Sequence, residues 1–226
     1  MQLYLVRHAE SENNAKPPHR RVEDPSLTRR GELQAEHLAG WTRTLRIDVL
    51  ITSPFLRTLQ TTRRIIDATP QRLHIWHDVF ERGGCYRGHL PGQEVGANGL
   101  GREDILRQAT GCPTDCLIDE TIDERGWWGG KQRETDQEAT IRCGTVLQRL
   151  TETFGSNGQT VVLVTHADFK RLLVGAMLPG IVDPSVLGPM RNTGITKVNF
   201  DGQSWQLDWF NSVSHLPSRL ITGCEH

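Results

Sequence analysis

Apolar residues fall along this chain in two kinds of run. Short unbroken runs, "QLYLV" at 2–6, "DVLITS" at 48–53 and "QTVVLVTH" at 159–166, read as strands buried on both faces. "LHIWHD" at 73–78 predicts a further strand. Between them, apolar residues recur at helical spacing. "DPSLTRRGELQAEHLAGWTRTL" predicts a helix with Thr28 as N-cap and a stripe of Leu33, His37, Leu38, Trp41 and Leu45. "SPFLRTLQTTRRIIDAT" predicts a second helix, with Ser53 as N-cap and Pro54 at its first position. "ETDQEATIRCGTVLQRLTETF" and "ADFKRLLVGAML" predict two more. "GITKVNFD" and "SWQLDWF" read as a closing hairpin around Asp201 and Gly202.

Strands that alternate with helices predict an α/β fold, three layers deep (α/β/α), with a mainly parallel central sheet and right-handed crossovers. Residues from 83 to about 133 break the pattern, with many glycines, Pro91, Pro113 and the pair Trp127-Trp128. They are expected to form an inserted loop region that caps one face, in a single domain spanning 1–226. The two tryptophans would cap an apolar substrate group or anchor the loop to the core. Asp119, Glu120, Asp123 and Glu124 read as a solvated acidic face.

Composition adds exclusions. Among 226 residues, 26 basic and 27 acidic side chains leave a net charge of -1, so bulk charge predicts neither nucleic acid nor a membrane surface as partner. Only four of the basic residues are lysines (Lys16, Lys131, Lys170, Lys197), and arginine is the better fork for phosphate. Arg7 interrupts the N-terminal apolar run, which argues against a secretory signal, and no stretch reaches the roughly 20 apolar residues of a membrane span. Five irregularly spaced cysteines do not form a disulfide framework. The expectation is a cytoplasmic protein. The sequence leaves the oligomeric state open, a homodimer included. Cys112 and Cys116, with Cys85 and His89 upstream, have a spacing that zinc tolerates, but no clear second pair, so reduced thiols in a loop are the plainer reading.

Candidate chemistry stands at the strand ends. Ligands of an open α/β sheet bind beyond the carboxyl ends of its strands. The first strand ends in Arg7-His8, the second leads through Ser53 into a helix whose first turn carries Arg57, and the run at 160–165 ends in His166. One such residue alone is most often structural; four at equivalent positions on three strands point to one pocket. Arginine is locally unfavourable at a helix N-terminus unless an anion binds there. A neutral imidazole is a competent nucleophile toward phosphorus once cations neutralise the phosphate. Glu81, in "DVFERGG", is the candidate acid for the leaving alkoxide and base for water. Arg82 and Arg87 are candidates for a second anionic group on the substrate.

"LVRHAESENN", "DPSLTRRGELQA", "TSPFLRTLQT" and "VVLVTHADF" resemble, in order, the conserved blocks of the histidine phosphatase superfamily, the phosphoglycerate-mutase-like enzymes. The resemblance covers residues 1–82 and about 135–200. It implies that His8 becomes a phosphohistidine, that Arg7, Arg57 and His166 form the phosphate pocket, and that Asn14 is a polar phosphate contact. It also implies that Glu81 is the acid/base and that neither metal nor cofactor is used. "RNTGITKV" resembles the segment that closes the pocket, which adds Asn192 and Thr193 as candidates. Ala9 replaces the commoner glycine. "ERGGCYRG" departs from the mutases' substrate motif, so the expected activity is hydrolysis of small phosphomonoesters. A mutase-type phosphotransferase and a non-catalytic phospho-ligand binder remain as alternatives.

Overall fold

The computed structural model describes residues 1–109, 116–181 and 183–223. In chain order the elements are β1 (Gln2–Arg7), α1 (Glu12–Ala15), α2 (Arg29–Thr42), β2 (Val49–Thr52), α3 (Leu56–Ala68), β3 (Leu73–Ile75), β4 (Tyr86–Arg87), β5 (Val95–Gly96) and α4 (Arg102–Ala109). Then follow β6 (Cys116–Ile118), α5 (Asp136–Phe154), β7 (Thr160–Thr165), α6 (Ala167–Met177), β8 (Ile195–Phe200) and β9 (Trp205–Ser212). The central sheet has the order β6-β3-β2-β7-β1-β8-β9. Its first five strands are parallel; β8 and β9 are the antiparallel hairpin expected from the sequence.

Alternation along β1 divides the core in two. Leu3 and Leu5 join Val146 and Leu150 of α5 and Leu173 of α6 on one face. Tyr4 and Val6 join Leu38 of α2, Leu59 of α3 and Ile105 of α4 on the other. Helices therefore cover both faces, which is why the central strands are apolar throughout. This is the three-layer α/β/α fold.

Four local expectations are corrected. Thr28 caps α2 by accepting from the Gly31 amide; of the expected stripe Leu38 is buried and Trp41 and Leu45 pack against the core, whereas Leu33 is half-buried and His37 exposed. The inward residues of α2 are Gly31, Gln34, Ala35, Leu38, Ala39 and Thr42. Close approach selects small residues here: a Cβ on Gly31 would stand 2.0 Å from the Glu10 carbonyl oxygen. In α3 the N-cap is Phe55, because Ser53 is committed elsewhere: its hydroxyl to His166 and its carbonyl to the Thr58 hydroxyl. The expected strand at 73–78 stops at Ile75 and continues as a 3-10 turn. Asp119 is not part of a solvated face: it pairs with Arg149 at 2.7 Å and accepts from the His77 amide.

The stretch 83–133 is less irregular than its composition suggests. β4 and β5 form a small antiparallel ribbon, while α4 packs on the α3 side of the core and β6 adds a parallel edge strand beside β3. Trp127 anchors the stretch, 2% exposed, with its ring 4.7 Å from Phe55. Trp128 donates its indole N–H to the Lys131 carbonyl and lies so close to Gly84 that a Cβ there would meet it at 2.4 Å.

Candidate active site

Parallel pairing sets three chain segments side by side. Arg7 is opposite Thr165 and Thr52 is opposite Val164, so β1, β2 and β7 end almost level. The next residues of each strand are His8, Ser53 and His166. Around them opens a cavity of about 230 Å³. Arg7, His8, Asn14, Arg57 and Glu81 all line it. His166 does not; it is fully buried behind His8, the two rings 5.2 Å apart at 63°.

The hydrogen bonds of His8 fix its tautomer. Nδ1 lies 2.7 Å from the Ala9 carbonyl oxygen, which can only accept, so Nδ1 carries the hydrogen. Nε2 accepts from Nε of Arg57 at 3.2 Å. Burial, and after it the charges of Arg57 and Arg7, hold the imidazole pKa well below its ordinary value. The ring is therefore neutral, with its lone pair on Nε2. His166 is likewise kept neutral, by burial first and Arg57 second. Its Nε2 meets the Ser53 hydroxyl at 2.8 Å, while its Nδ1 is buried without a partner among the described residues.

Arg7 donates through Nη1 to the Met190 carbonyl, and its Nε is buried with no partner among the described residues. Burial lowers its pKa to about 10, so it is a cation at neutral pH. Arg57 lies over the Phe55 ring at 4.0 Å. Asn14 uses its side-chain oxygen on the Ser11 amide and hydroxyl, both at 3.0 Å, and on Asn192 at 3.4 Å. Its amide nitrogen is then the group able to donate to an anion. Asn192 and Thr193 are fully buried and do not line the cavity. They brace it instead: Asn192 Nδ2 and the Thr193 amide both donate to the His8 carbonyl.

Glu81 sits at the start of α6, where Oε1 accepts from the Phe169 and Arg82 amides at 3.1 and 2.9 Å. Such donors favour the carboxylate. Burial opposes them and prevails, assisted by Asp168, so the Glu81 pKa is raised despite the attraction of Arg57.

Several lining residues escaped the sequence reading. Tyr86 and Arg133 form one wall, the Arg133 guanidinium 5.5 Å from the Tyr86 ring centre. His89 continues that wall and donates from Nε2 to the Val22 carbonyl. Arg82, which the sequence did offer as a candidate, lines the cavity and bridges Asp168 and Asp136, at 3.4 and 3.5 Å. Arg87 is exposed and faces a separate cavity of about 420 Å³. Asp24 stands 3.9 Å from Arg57. Lys170 is fully buried, donating to the Gly194 carbonyl at 2.7 Å. Each of these depends on a partner far away in sequence. Of the cysteines weighed as zinc ligands, Cys112 lies outside the described residues. Burial pushes the Cys85 thiol up to about 12, and no group of three His, Cys, Asp or Glu able to hold a metal occurs among the described residues.

The model of the histidine phosphatase superfamily (branch 1) matches residues 3–98 and 102–213. The chain belongs to that family. This histidine phosphatase family member is 46% identical over 231 residues to "Probable phosphoglycerate mutase GpmB" of Enterobacter sp. (strain 638), covering 98% of this chain and 97% of that one. It is 41% identical over 68 residues, 30% of this chain and 32% of the other, to "Phosphoserine phosphatase 1" of Hydrogenobacter thermophilus. Its fold is similar to that of a phosphoserine phosphatase mutant from Entamoeba histolytica solved with phosphoserine. The TM-score is 0.61 at 24% identity, over 96% of this chain and 99% of that chain. Named relatives thus include both mutases and phosphatases. No helix among the described residues is long and apolar enough to cross a membrane.

Proposed function

We propose that this protein is a metal-independent phosphatase that hydrolyses small phosphomonoesters through a phosphohistidine on His8. One observation carries the reading: the neutral His8 ring, its hydrogen spent on the Ala9 carbonyl, keeps its Nε2 lone pair beside Arg57 in the cavity that Glu81 also lines. In the first step Nε2 attacks phosphorus in line and the bond to the ester oxygen breaks. Glu81, whose raised pKa favours the protonated form, gives its proton to the leaving alkoxide. Arg7, Arg57 and the Asn14 amide hold the phosphoryl oxygens, with His166 buried behind His8. In the second step the Glu81 carboxylate takes a proton from water as that water attacks phosphorus. The N–P bond breaks and phosphate leaves. Every group required is a side chain of this chain, and the family resemblance assigns the same parts. A cavity of about 230 Å³ suits a leaving group of a few heavy atoms.

The mutase reading differs only in returning the phosphoryl group to the substrate, and the relative of Enterobacter sp. named for that activity favours keeping it. Against it, "ERGGCYRG" inserts residues between Glu81 and Tyr86 where the mutases' motif is compact. The deciding experiment is release of inorganic phosphate from p-nitrophenyl phosphate and from phosphoserine in excess EDTA, with His8→Ala alongside and acid- and base-quenched protein analysed for phosphohistidine. Turnover in chelator with an acid-labile, base-stable phosphoprotein is expected, both lost in His8→Ala. A variant at wild-type rates would overturn the mechanism. A trapped phosphohistidine without phosphate release would favour the mutase.

A further inference from the structure

Among the described residues, Asp24 is the carboxylate that meets the phosphate clamp from behind. It comes from the loop before α2, and its Oδ1 accepts from the Leu56 amide at 2.9 Å, at the start of α3. The same oxygen lies 3.9 Å from Nη1 of Arg57. The two side chains are only 9% and 10% exposed. The second oxygen, Oδ2, is buried with no partner among the described residues. Asp24 does not line the catalytic cavity; it lines the neighbouring one of about 420 Å³, which gives a proton a way in from the far side.

This placement poses an electrostatic conflict. An empty pocket holding Arg7 and Arg57 needs a nearby negative charge, and Asp24 supplies it. A phosphate group bound to Arg57 brings a second negative charge to the same guanidinium. Two like charges sharing a poorly solvated cation repel strongly. The carboxylate cannot swing to water, because the Leu56 amide and the surrounding burial hold it. Its remaining escape is to take up a proton, for which the unpartnered Oδ2 has the free lone pair.

We propose that Asp24 is the resident counter-ion of Arg57, and that a phosphate group entering the pocket displaces it by driving a proton onto its carboxylate. Asp24 is thus a positioning residue. It holds Arg57 while the pocket is empty, and it makes the affinity for phosphate groups depend on pH. The inference rests on the phosphate-pocket reading above. Burial already raises the Asp24 pKa to about 7 against the pull of Arg57, so little further repulsion is needed near neutrality. The other charged or titratable groups facing this pair among the described residues are Glu23 on the same loop, Cys85, Tyr86 and His89 from the segment after Glu81, and Arg7, His8, Glu81 and His166 on the Arg57 side.

The test uses sulfate, which stays a dianion across the range and is not turned over. Its dissociation constant is measured by calorimetry between pH 6.5 and 8.5 in Glu81→Gln protein, which lacks the other carboxylate facing Arg57, and in Glu81→Gln/Asp24→Asn. Affinity of the first protein is expected to fall about tenfold or more across the range, the behaviour of a single linked proton. The Asp24→Asn protein should bind more tightly at pH 8.5 and show a clearly shallower dependence. Parallel curves would overturn the role of Asp24 while leaving the phosphatase reading intact. Absence of sulfate binding at every pH would overturn the phosphate pocket and this proposal together. Should the double variant fail to fold, proton uptake by the Glu81→Gln protein on binding sulfate at pH 7.5, taken from two buffers of different ionisation enthalpy, decides. More than about half a proton is expected, and none would overturn the inference.

Discussion

Arg57 donates its Nε hydrogen to Nε2 of His8 across 3.2 Å, so the proposed nucleophile and the proposed phosphate clamp are hydrogen-bonded to each other in the empty pocket. A phosphate group must break that contact and take the guanidinium for itself. The free lone pair then faces phosphorus. Nucleophile orientation and substrate charge neutralisation are thereby assigned to one side chain.

Arg57→Lys keeps the charge but loses the Nε donor and the planar fork. With p-nitrophenyl phosphate, kcat/KM is expected to fall about 100-fold or more, the usual cost of one preorganised transition-state donor. Steady-state kinetics check this, and a variant within a few fold of wild type would remove Arg57 from the mechanism.

Glu81 must be protonated for the first step, and its raised pKa extends that form to higher pH than an ordinary carboxyl group. As pH rises through that pKa the proton is lost, so turnover of an alkyl phosphate should decline on the alkaline side. Glu81→Gln should flatten that limb and slow phosphoserine hydrolysis by about 10²–10⁴. For p-nitrophenyl phosphate, whose leaving group needs no proton, kcat/KM should suffer much less, while kcat should still fall because Glu81 also activates the water that cleaves the phosphohistidine. Paired pH–rate profiles on the two substrates provide the measurement.

Arg133 and Tyr86 form the wall of the cavity that a leaving group would meet, whereas Arg87 faces another cavity. Arg133→Ala is therefore expected to raise KM several-fold for a phosphomonoester bearing a carboxylate, such as phosphoserine, and to leave p-nitrophenyl phosphate unchanged. Arg87→Ala should alter neither. Equal effects of Arg133→Ala on both substrates would remove it from substrate selection.

Lys170 is a buried amine beside Arg7, its pKa held well below the ordinary lysine value by burial first and Arg7 second. The unfolded chain binds a proton at this site up to about pH 10.4, and the folded chain gives it up at a lower pH. Unfolding between those two pH values therefore takes up a proton, and the wild type gains stability as pH rises through that window toward 10. Lys170→Met removes that term. The variant should be the more stable at pH 7, and its advantage should shrink by up to about 1.4 kcal/mol per pH unit toward pH 10. Chemical denaturation of both proteins at pH 7, 8.5 and 10 checks the slope.

Much of this arrangement was readable because strand identity and strand direction are local signals. Continuous apolar runs located β1, β2 and β7, and the rule that ligands gather at strand carboxyl ends collected Arg7, His8 and Arg57. Glu81, a candidate from its place after the third strand that the resemblance reinforced, and Asn14, which came from the resemblance, line the same cavity. What escaped was set by distant partners. β6 has three residues, and its place beside β3 is decided by pairing across a gap of some forty positions. The inward face of α2 was partly misread because Gly31 answers to the Glu10 carbonyl rather than to a hydrophobic period. Ser53 looked like a helix cap because nothing local shows that His166 claims its hydroxyl. Asp24 carries no local signal; only the fold sets it beside Arg57.

The level endings of β1, β2 and β7 also bear on how this protein acquires its chemistry. β7 pairs with β1 across 158 positions (Gln2 with Thr160) and with β2 across 112 (Val49 with Val161), so this pairing is closed late and slowly compared with local helix formation. Slipping β7 by one residue would set Thr165 where His166 now stands and turn its side chains to the opposite face. No collapsed intermediate with correct helices but unsettled register can hold the two histidines together. Recovery of turnover during refolding is consequently a direct clock for completion of the central sheet, lagging the return of helical signal rather than accompanying it.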